Sequence, residues 1–284
     1  MSTLFKMVRY NRKKYPDHIP ISIEEVAGNF DKSSIGTLTM PYSLHTEYSY
    51  AKRNFNTDIV SKYDEIVKSQ KSGIPQLWKS VNWAKQFADF VFDLVGDNDP
   101  PDVIEIHPPF DDYSDINKFI ECYKYFEIKI NKRFKNTEIQ IENRTGSMYH
   151  GGKFILSSIN DFDSFTNAIE KGKVKLKIAC DVPQIYTVYD EPDYVGILKE
   201  LKQYRDYIGG VHLWGKRGTK RIAHHGDLND YFINNDEIKQ DFLKAFNNTF
   251  NDGIVRNLVL EVNSDVNDLY SIIEDLESAK IKFV

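Results

Sequence analysis

The sequence predicts an α/β fold, a (β/α)8 barrel that takes up residues 1–284 as one domain. Short apolar, β-rich runs alternate with segments whose apolar residues recur at helical spacing, as parallel strands joined by crossover helices require. Four of the later runs end on a metal-ligating side-chain type: Glu142 in TEIQIENRTG, Asp181 in KLKIACDVPQ, His212 in GGVHLWG and Glu261 in NLVLEVNS. These residues lie about 30 to 50 positions apart, room for one strand, one helix and a return. The carboxyl ends of barrel strands are where such a fold carries its functional groups.

The first hundred residues are the least legible. Leu4 to Tyr10 and Ile35 to Met40 read as strands, and Pro16 to Glu25 fits either strand or loop. Helical spacing appears over Asp58 to Val67 and over Pro75 to Val95, the latter through Leu77, Trp78, Val81, Ala84, Phe87, Val91 and Leu94. DNDPP at Asp97 to Pro101 stops that helix, and DVIEIH at Asp102 to His107 is a strand closed by two prolines. Helices are expected at Ser114 to Phe134, Asn160 to Lys171, Asp193 to Tyr207, Asp236 to Phe246 and Asp265 to Ser278, the last capped by Ser264 or Asp265. Ile281 to Val284 reads as an extra short strand.

Composition narrows the function classes. A net charge of −5 offers no overall basic field for a nucleic acid backbone. Two cysteines, Cys122 and Cys180, make neither a disulfide framework nor a Cys-x-x-Cys pair, which points to a reducing, cytoplasmic setting. MSTLFKMVRYNRKKYP has charge where a signal peptide needs an apolar run, and no stretch approaches the roughly 20 apolar residues of a membrane span. The 17 tyrosines and 18 phenylalanines are read mainly as core, with Tyr186, Tyr189 and Trp214 as candidates for an apolar pocket wall.

Three carboxylates and one imidazole suit a divalent ion of the Mg, Mn, Co or Zn group. Each residue alone also has a plainer reading, since a carboxylate after a strand commonly caps the next helix. Four in register make the metal reading the stronger one.

In order and spacing, IHPPF around His107, IENRTG and GGKF around Glu142, ACDVPQIYTVYD around Asp181, GGVHLWG around His212 and LVLEVNS around Glu261 resemble the xylose isomerase-like barrel superfamily, most closely its endonuclease IV branch. The resemblance covers residues 103 to 264. It implies that Glu142, Asp181, His212 and Glu261 share one metal ion, with His107 matching a further endonuclease ligand and a weaker second ion. It also implies that Glu142 and Glu261 exchange a proton with a polyhydroxy or phosphorylated small molecule. Departures count against a three-zinc nuclease: Gln184 stands where a histidine is expected, no histidine is found near Thr39 to Pro41, and Lys216 to Gly226 holds no Asp-x-His pair. The implied function is a metal-dependent isomerase or epimerase; the alternatives are a diverged endonuclease acting on abasic DNA and a non-catalytic metal-binding barrel.

Other residues qualify as substrate contacts. Asn143 and Arg144 adjoin Glu142 and either bind substrate oxygens or pin the loop; Gln184 and Trp214 adjoin the Asp181 and His212 strands. Lys216, Arg217, Lys220 and Arg221 in KRGTKR follow the expected seventh strand, where barrels often bind phosphate, although such a run is more commonly a solvated face. His224 and His225, with Asp227, follow within reach of the same mouth. No membrane partner is implied, nucleic acid is not favoured, and no feature specifies an oligomeric state.

Overall fold

A computed structural model describes residues 2–49, 55, 61–145, 153–216, 225–232 and 235–284. The fold is the α/β, (β/α)8 barrel that the alternation predicts. Its parallel strands are β1 Leu4–Arg9, β2 Ile23–Gly28, β3 Tyr42–Thr46, β4 Val103–Ile106, β5 Glu138–Glu142, β6 Leu176–Asp181, β7 Ile208–Leu213 and β8 Arg256–Leu260. The chain divides into two compact units, Val26–Lys177 and Met1–Glu25 with Ile178–Val284.

In the unit Val26–Lys177, β4 lies between β3 and β5, with Leu44 opposite Ile104 and Ile104 opposite Ile139. All four β4 residues are buried, as expected for a parallel strand covered on both faces. Helices α1 Val81–Val95, α2 Ile116–Arg133 and α3 Ile159–Gly172 bury one apolar face each. Trp78, Trp83, Phe87, Phe119 and Phe126 interlock there at ring centroid separations of 4.8 to 5.6 Å. Such edge and offset contacts add to the apolar area that aromatic rings bury, so much of the aromatic content is core, as anticipated.

Three expectations for this unit are corrected. Ile35 to Met40 is not a strand: the Ile35 N–H donates to Leu94 O at the end of α1 and the Leu38 N–H to Asn98 Oδ1, so its backbone bonds go elsewhere than a ladder. The helix drawn from Pro75 starts only at Val81, because Ser80 caps it by accepting from the Trp83 N–H, and Ile74–Pro75 pairs with Gln70–Lys71 instead. Of the helix expected at Asp58 to Val67, the described part is Asp64–Lys68, and residues 58–60 lie outside the described residues.

In the other unit, β1, β8, β7 and the end of β6 are consecutive neighbours. Val8 pairs with Val259, Val259 with His212, and His212 with Asp181. The short terminal strand β9 Lys282–Phe283 runs parallel to Leu4–Phe5. Helices α4 Val182–Tyr186, α5 Tyr194–Leu201, α6 Asp236–Phe250 and α7 Val266–Ser278 follow the strands, and Asp265 caps α7 by accepting from the Asn267 N–H. The segment expected to be helical to Tyr207 changes to a 3-10 turn over Lys202–Tyr207, which feeds β7. Among the described residues no helix is long and apolar enough to cross a membrane.

Candidate metal centres

Glu142 is the last residue of β5 and is fully buried. Its Oε1 accepts from Arg144 Nη1 at 3.0 Å, while Oε2 lies 2.8 Å from His107 Nε2 and 3.2 Å from His45 Nε2. His45 Nε2 is also 3.2 Å from Glu105 Oε1. His45, Glu105, His107 and Glu142 thus offer ligand atoms that all lie within 4.8 Å of one another. Two atoms each bound at about 2.0 to 2.4 Å to one ion can be no more than about 4.8 Å apart, so the set has the spacing of a divalent cation site.

The proton positions sharpen that reading. His107 Nδ1 is 3.1 Å from Glu47 O, which can only accept, so the ring's proton belongs on Nδ1 when the imidazole is neutral. Burial, opposed by Glu142, lowers the pKa of His107 and favours that neutral form. Its Nε2 lone pair then faces a Glu142 oxygen at hydrogen-bond distance with no proton between them. Two acceptors hold such a position favourably when a cation lies between them. The Glu142 carboxyl is itself held well below its usual range: burial pushes it up, and its neighbours, the Arg144 guanidinium foremost, outweigh that.

Arg144 fits the plainer of the two readings offered for it, that of pinning the loop. Its guanidinium pairs with Glu142 and lies over the Tyr48 ring at 5.2 Å, while its N–H donates to Leu156 O and its carbonyl accepts from Ser157 Oγ. Asn143 beside it is fully buried. Gly151 and Gly152 of the GGKF match lie outside the described residues.

In the other unit, His212 near the end of β7 and Glu261 just past β8 meet, Nδ1 to Oε1, at 3.0 Å. Both are buried, and the Glu261 N–H donates to Leu213 O, which continues the ladder one residue beyond β8. Glu25, on β2, completes a second set with His212 and Glu261, again with ligand atoms within 4.8 Å. Asp181 ends β6 and does what a plain helix cap does, its Oδ1 accepting from the Gln184 N–H at 3.0 Å. Its Oδ2 accepts from Trp214 Nε1 at 3.2 Å.

Trp214 stacks flat on His225, with centroids 3.8 Å apart and planes 5° from parallel. His225 Nδ1 donates to Glu261 O at 2.8 Å. Antiparallel pairing of the two-residue strands Gly215–Lys216 and His225–Gly226 brings the two rings together. Only glycine fits at 215, since a Cβ there would collide with the Asp227 carbonyl. Between the hairpin strands, residues 217–224 lie outside the described residues, among them Arg217, Lys220, Arg221 and His224. Lys216 is placed through its backbone pairing with His225.

Of the four ligands expected from sequence, Glu142 belongs to one unit and Asp181, His212 and Glu261 to the other. Three metal-competent residues were missed. His45 corrects the expectation that the strand before His107 lacks a histidine: the strand is Tyr42–Thr46, a few residues past the stretch where it was sought. Glu105 sits two residues before His107 on one face of β4, and the alternation of a strand could have revealed it. Glu25 lay in a segment left open between strand and loop.

No protein-family model matches the chain, and no curated protein matches it. Among solved structures it is similar to "AP endonuclease, family 2 from Brucella melitensis", with 8% identity over 93% of this chain and 93% of that one and a TM-score of 0.45. It is also similar to the "probable 3-DHS dehydratase AsbF" of Bacillus anthracis, with 10% identity over 83% and 74% of the two chains and a TM-score of 0.44. A third likeness is to a "xylose isomerase-like TIM barrel/4-hydroxyphenylpyruvate dioxygenase fusion protein", with 12% identity over 80% of this chain and 35% of that one and a TM-score of 0.43.

Proposed function

We propose that the chain is a divalent-metal-dependent isomerase or epimerase acting on a sugar, sugar phosphate or related polyhydroxy compound. One observation carries the metal reading: in each unit buried or half-buried histidine nitrogens face carboxylate oxygens at 2.8 to 3.2 Å, donor sets of mixed nitrogen and oxygen that Mn²⁺, Co²⁺ or Zn²⁺ accept. A bound ion supplies Lewis acidity to neighbouring carbonyl and hydroxyl oxygens of the substrate. Glu142 and Glu261 are the two carboxylates assigned from sequence to proton transfer. The Arg144 guanidinium, foremost among its neighbours, holds Glu142 well below the usual carboxylate range, which makes it a weak base and a good ligand. His225 fixes the Glu261 backbone, and Trp214 fixes Asp181. Asn143, Arg144, Gln184, Trp214 and His225 are assigned to substrate oxygens and the pocket wall, and Lys216, Arg217 and His224 to an anionic group.

A second reading is a phosphodiesterase acting on abasic DNA, and His45 favours it. With Glu105, His107 and Glu142 it adds a cation position that the sequence reading allowed only weakly. Elemental analysis of the purified protein, followed by assays of wild type and Glu261→Gln on a panel of ketoses and ketose phosphates and on abasic duplex DNA, separates the readings. Sugar interconversion lost in the variant is expected; DNA cleavage lost in the variant reverses the ranking, and protein free of divalent metal after growth and reconstitution removes both.

A further inference from the structure

The strand register places a third carboxylate beside His212 and Glu261. Val8 on β1 pairs with Ile23 on β2 along one edge and with Val259 on β8 along the other. These three side chains are at most 4% exposed and pack as one cluster, with Tyr10 against it. Side chains two residues apart on a strand share a face. One step beyond the cluster on that face stand Glu25 after Ile23 and Glu261 after Val259. Val259 is also registered with His212. The ligand atoms of Glu25, His212 and Glu261 lie within 4.8 Å of one another, Glu25 partly exposed and the other two buried. Two carboxylates at this distance repel, and a cation bound between them reverses the sign of that interaction. Glu24 belongs to the opposite face of β2, so the neighbouring glutamate does not share this position.

We infer that Glu25 is a direct ligand of the divalent ion held by His212 and Glu261. This rests on the metal reading proposed above and extends it to a residue on the second strand, far in sequence from His212 and Glu261. Glu25 brings a second negative charge to a set that otherwise has one carboxylate and one neutral imidazole, and so favours a doubly charged cation over a monovalent one.

The test is a titration of metal-stripped protein with Mn²⁺, followed by calorimetry and by the electron paramagnetic resonance signal of free Mn²⁺. Wild type, Glu25→Gln, Glu24→Gln and His212→Ala are compared in a His107→Ala background, which removes the ion of the other donor set. Glu25→Gln is expected to weaken Mn²⁺ binding at least about 10-fold, since even residues that only support ligands cost 10- to 100-fold. Glu24→Gln should bind as the parent does. Co²⁺ loading gives a second readout, because loss of a carboxylate ligand changes the visible absorption of the bound ion; circular dichroism melts of the stripped proteins show that each variant is folded. Glu25→Gln with the parent's affinity and Co²⁺ spectrum overturns the assignment while His212→Ala still loses the ion. Equal binding by the parent and His212→Ala, or none by either, overturns the metal reading and the inference with it.

Discussion

Replacing Arg256 with methionine should destabilise the protein without touching metal binding. Arg256 opens β8 at the end opposite Glu261 and is 1% exposed. Its Nε donates to Ile208 O at 3.0 Å, its Nη2 to Arg205 O at 2.9 Å, and its two terminal nitrogens grip both Asp252 oxygens at 2.9 and 2.6 Å. Methionine fills much of the volume but leaves the Asp252 carboxylate, 5% exposed, with Arg205 Nε at 3.5 Å as its remaining cation. Breaking a buried pair from one side costs about 3 to 5 kcal/mol, and the Arg205 contact points to the lower end. The pH dependence fixes the sign. In the wild type burial raises the Asp252 pKa, but the Arg256 hydrogen bonds, the Ile254 N–H and the charges of Arg256 and Arg205 outweigh it, so the folded value is depressed. Its stabilisation is present above the unfolded value of about 3.9 and is lost as pH falls through the folded one. Without Arg256 the burial effect prevails and the folded pKa rises, so the variant regains stability as pH falls from 7 toward about 4. Urea unfolding followed by tryptophan fluorescence at pH 7 and pH 4.5 should therefore show a gap that narrows at the lower pH. A loss below about 1 kcal/mol, or a gap that widens on acidification, would refute the argument.

Trp214→Phe keeps a ring on His225 and removes the N–H that holds Asp181; Mn²⁺ affinity should fall about 10-fold while the melting temperature changes little, and an unchanged affinity would show that Asp181 has no part in binding the ion. Asp193 caps α5 by accepting from the Gly196 N–H at 2.8 Å. Asp193→Ala should cost about 1 kcal/mol and lower the melting temperature by about 2 °C in calorimetry, with metal affinity unaltered.

The barrel could be read because its later strands are short, β-rich and bounded by turn residues. DVIEIHPP and TEIQIENRTG match β4 and β5 almost to the residue, and even Ile281 to Val284 holds a strand. The first hundred residues resisted for physical reasons. IEEVAG has two glutamates, an alanine and a glycine, poor strand formers alone, and is a strand through its partners. Ile35 to Met40 looks like a strand and has its hydrogen bonds with a helix end and a side-chain amide. The same two segments concealed metal-competent residues: Glu25 lies on the unconvincing strand, and the histidine found at His45 was sought beside the false one. Asp181 shows the opposite case, where the modest expectation holds: its carboxylate caps α4 by accepting from the Gln184 N–H.

The hairpin between Gly215–Lys216 and His225–Gly226 has an evolutionary consequence. Its backbone bonds and the ring stack settle where the chain leaves and rejoins the body. Lengthening a loop whose ends are already joined costs little, about 0.6 kcal/mol per doubling. Sequence in that interval can be exchanged as a cassette, its charge and size retuned for a different ligand, while Trp214 and His225 keep Asp181 and Glu261 in place. A library randomised between residues 217 and 224 should therefore retain the pairing of Gly215–Lys216 with His225–Gly226.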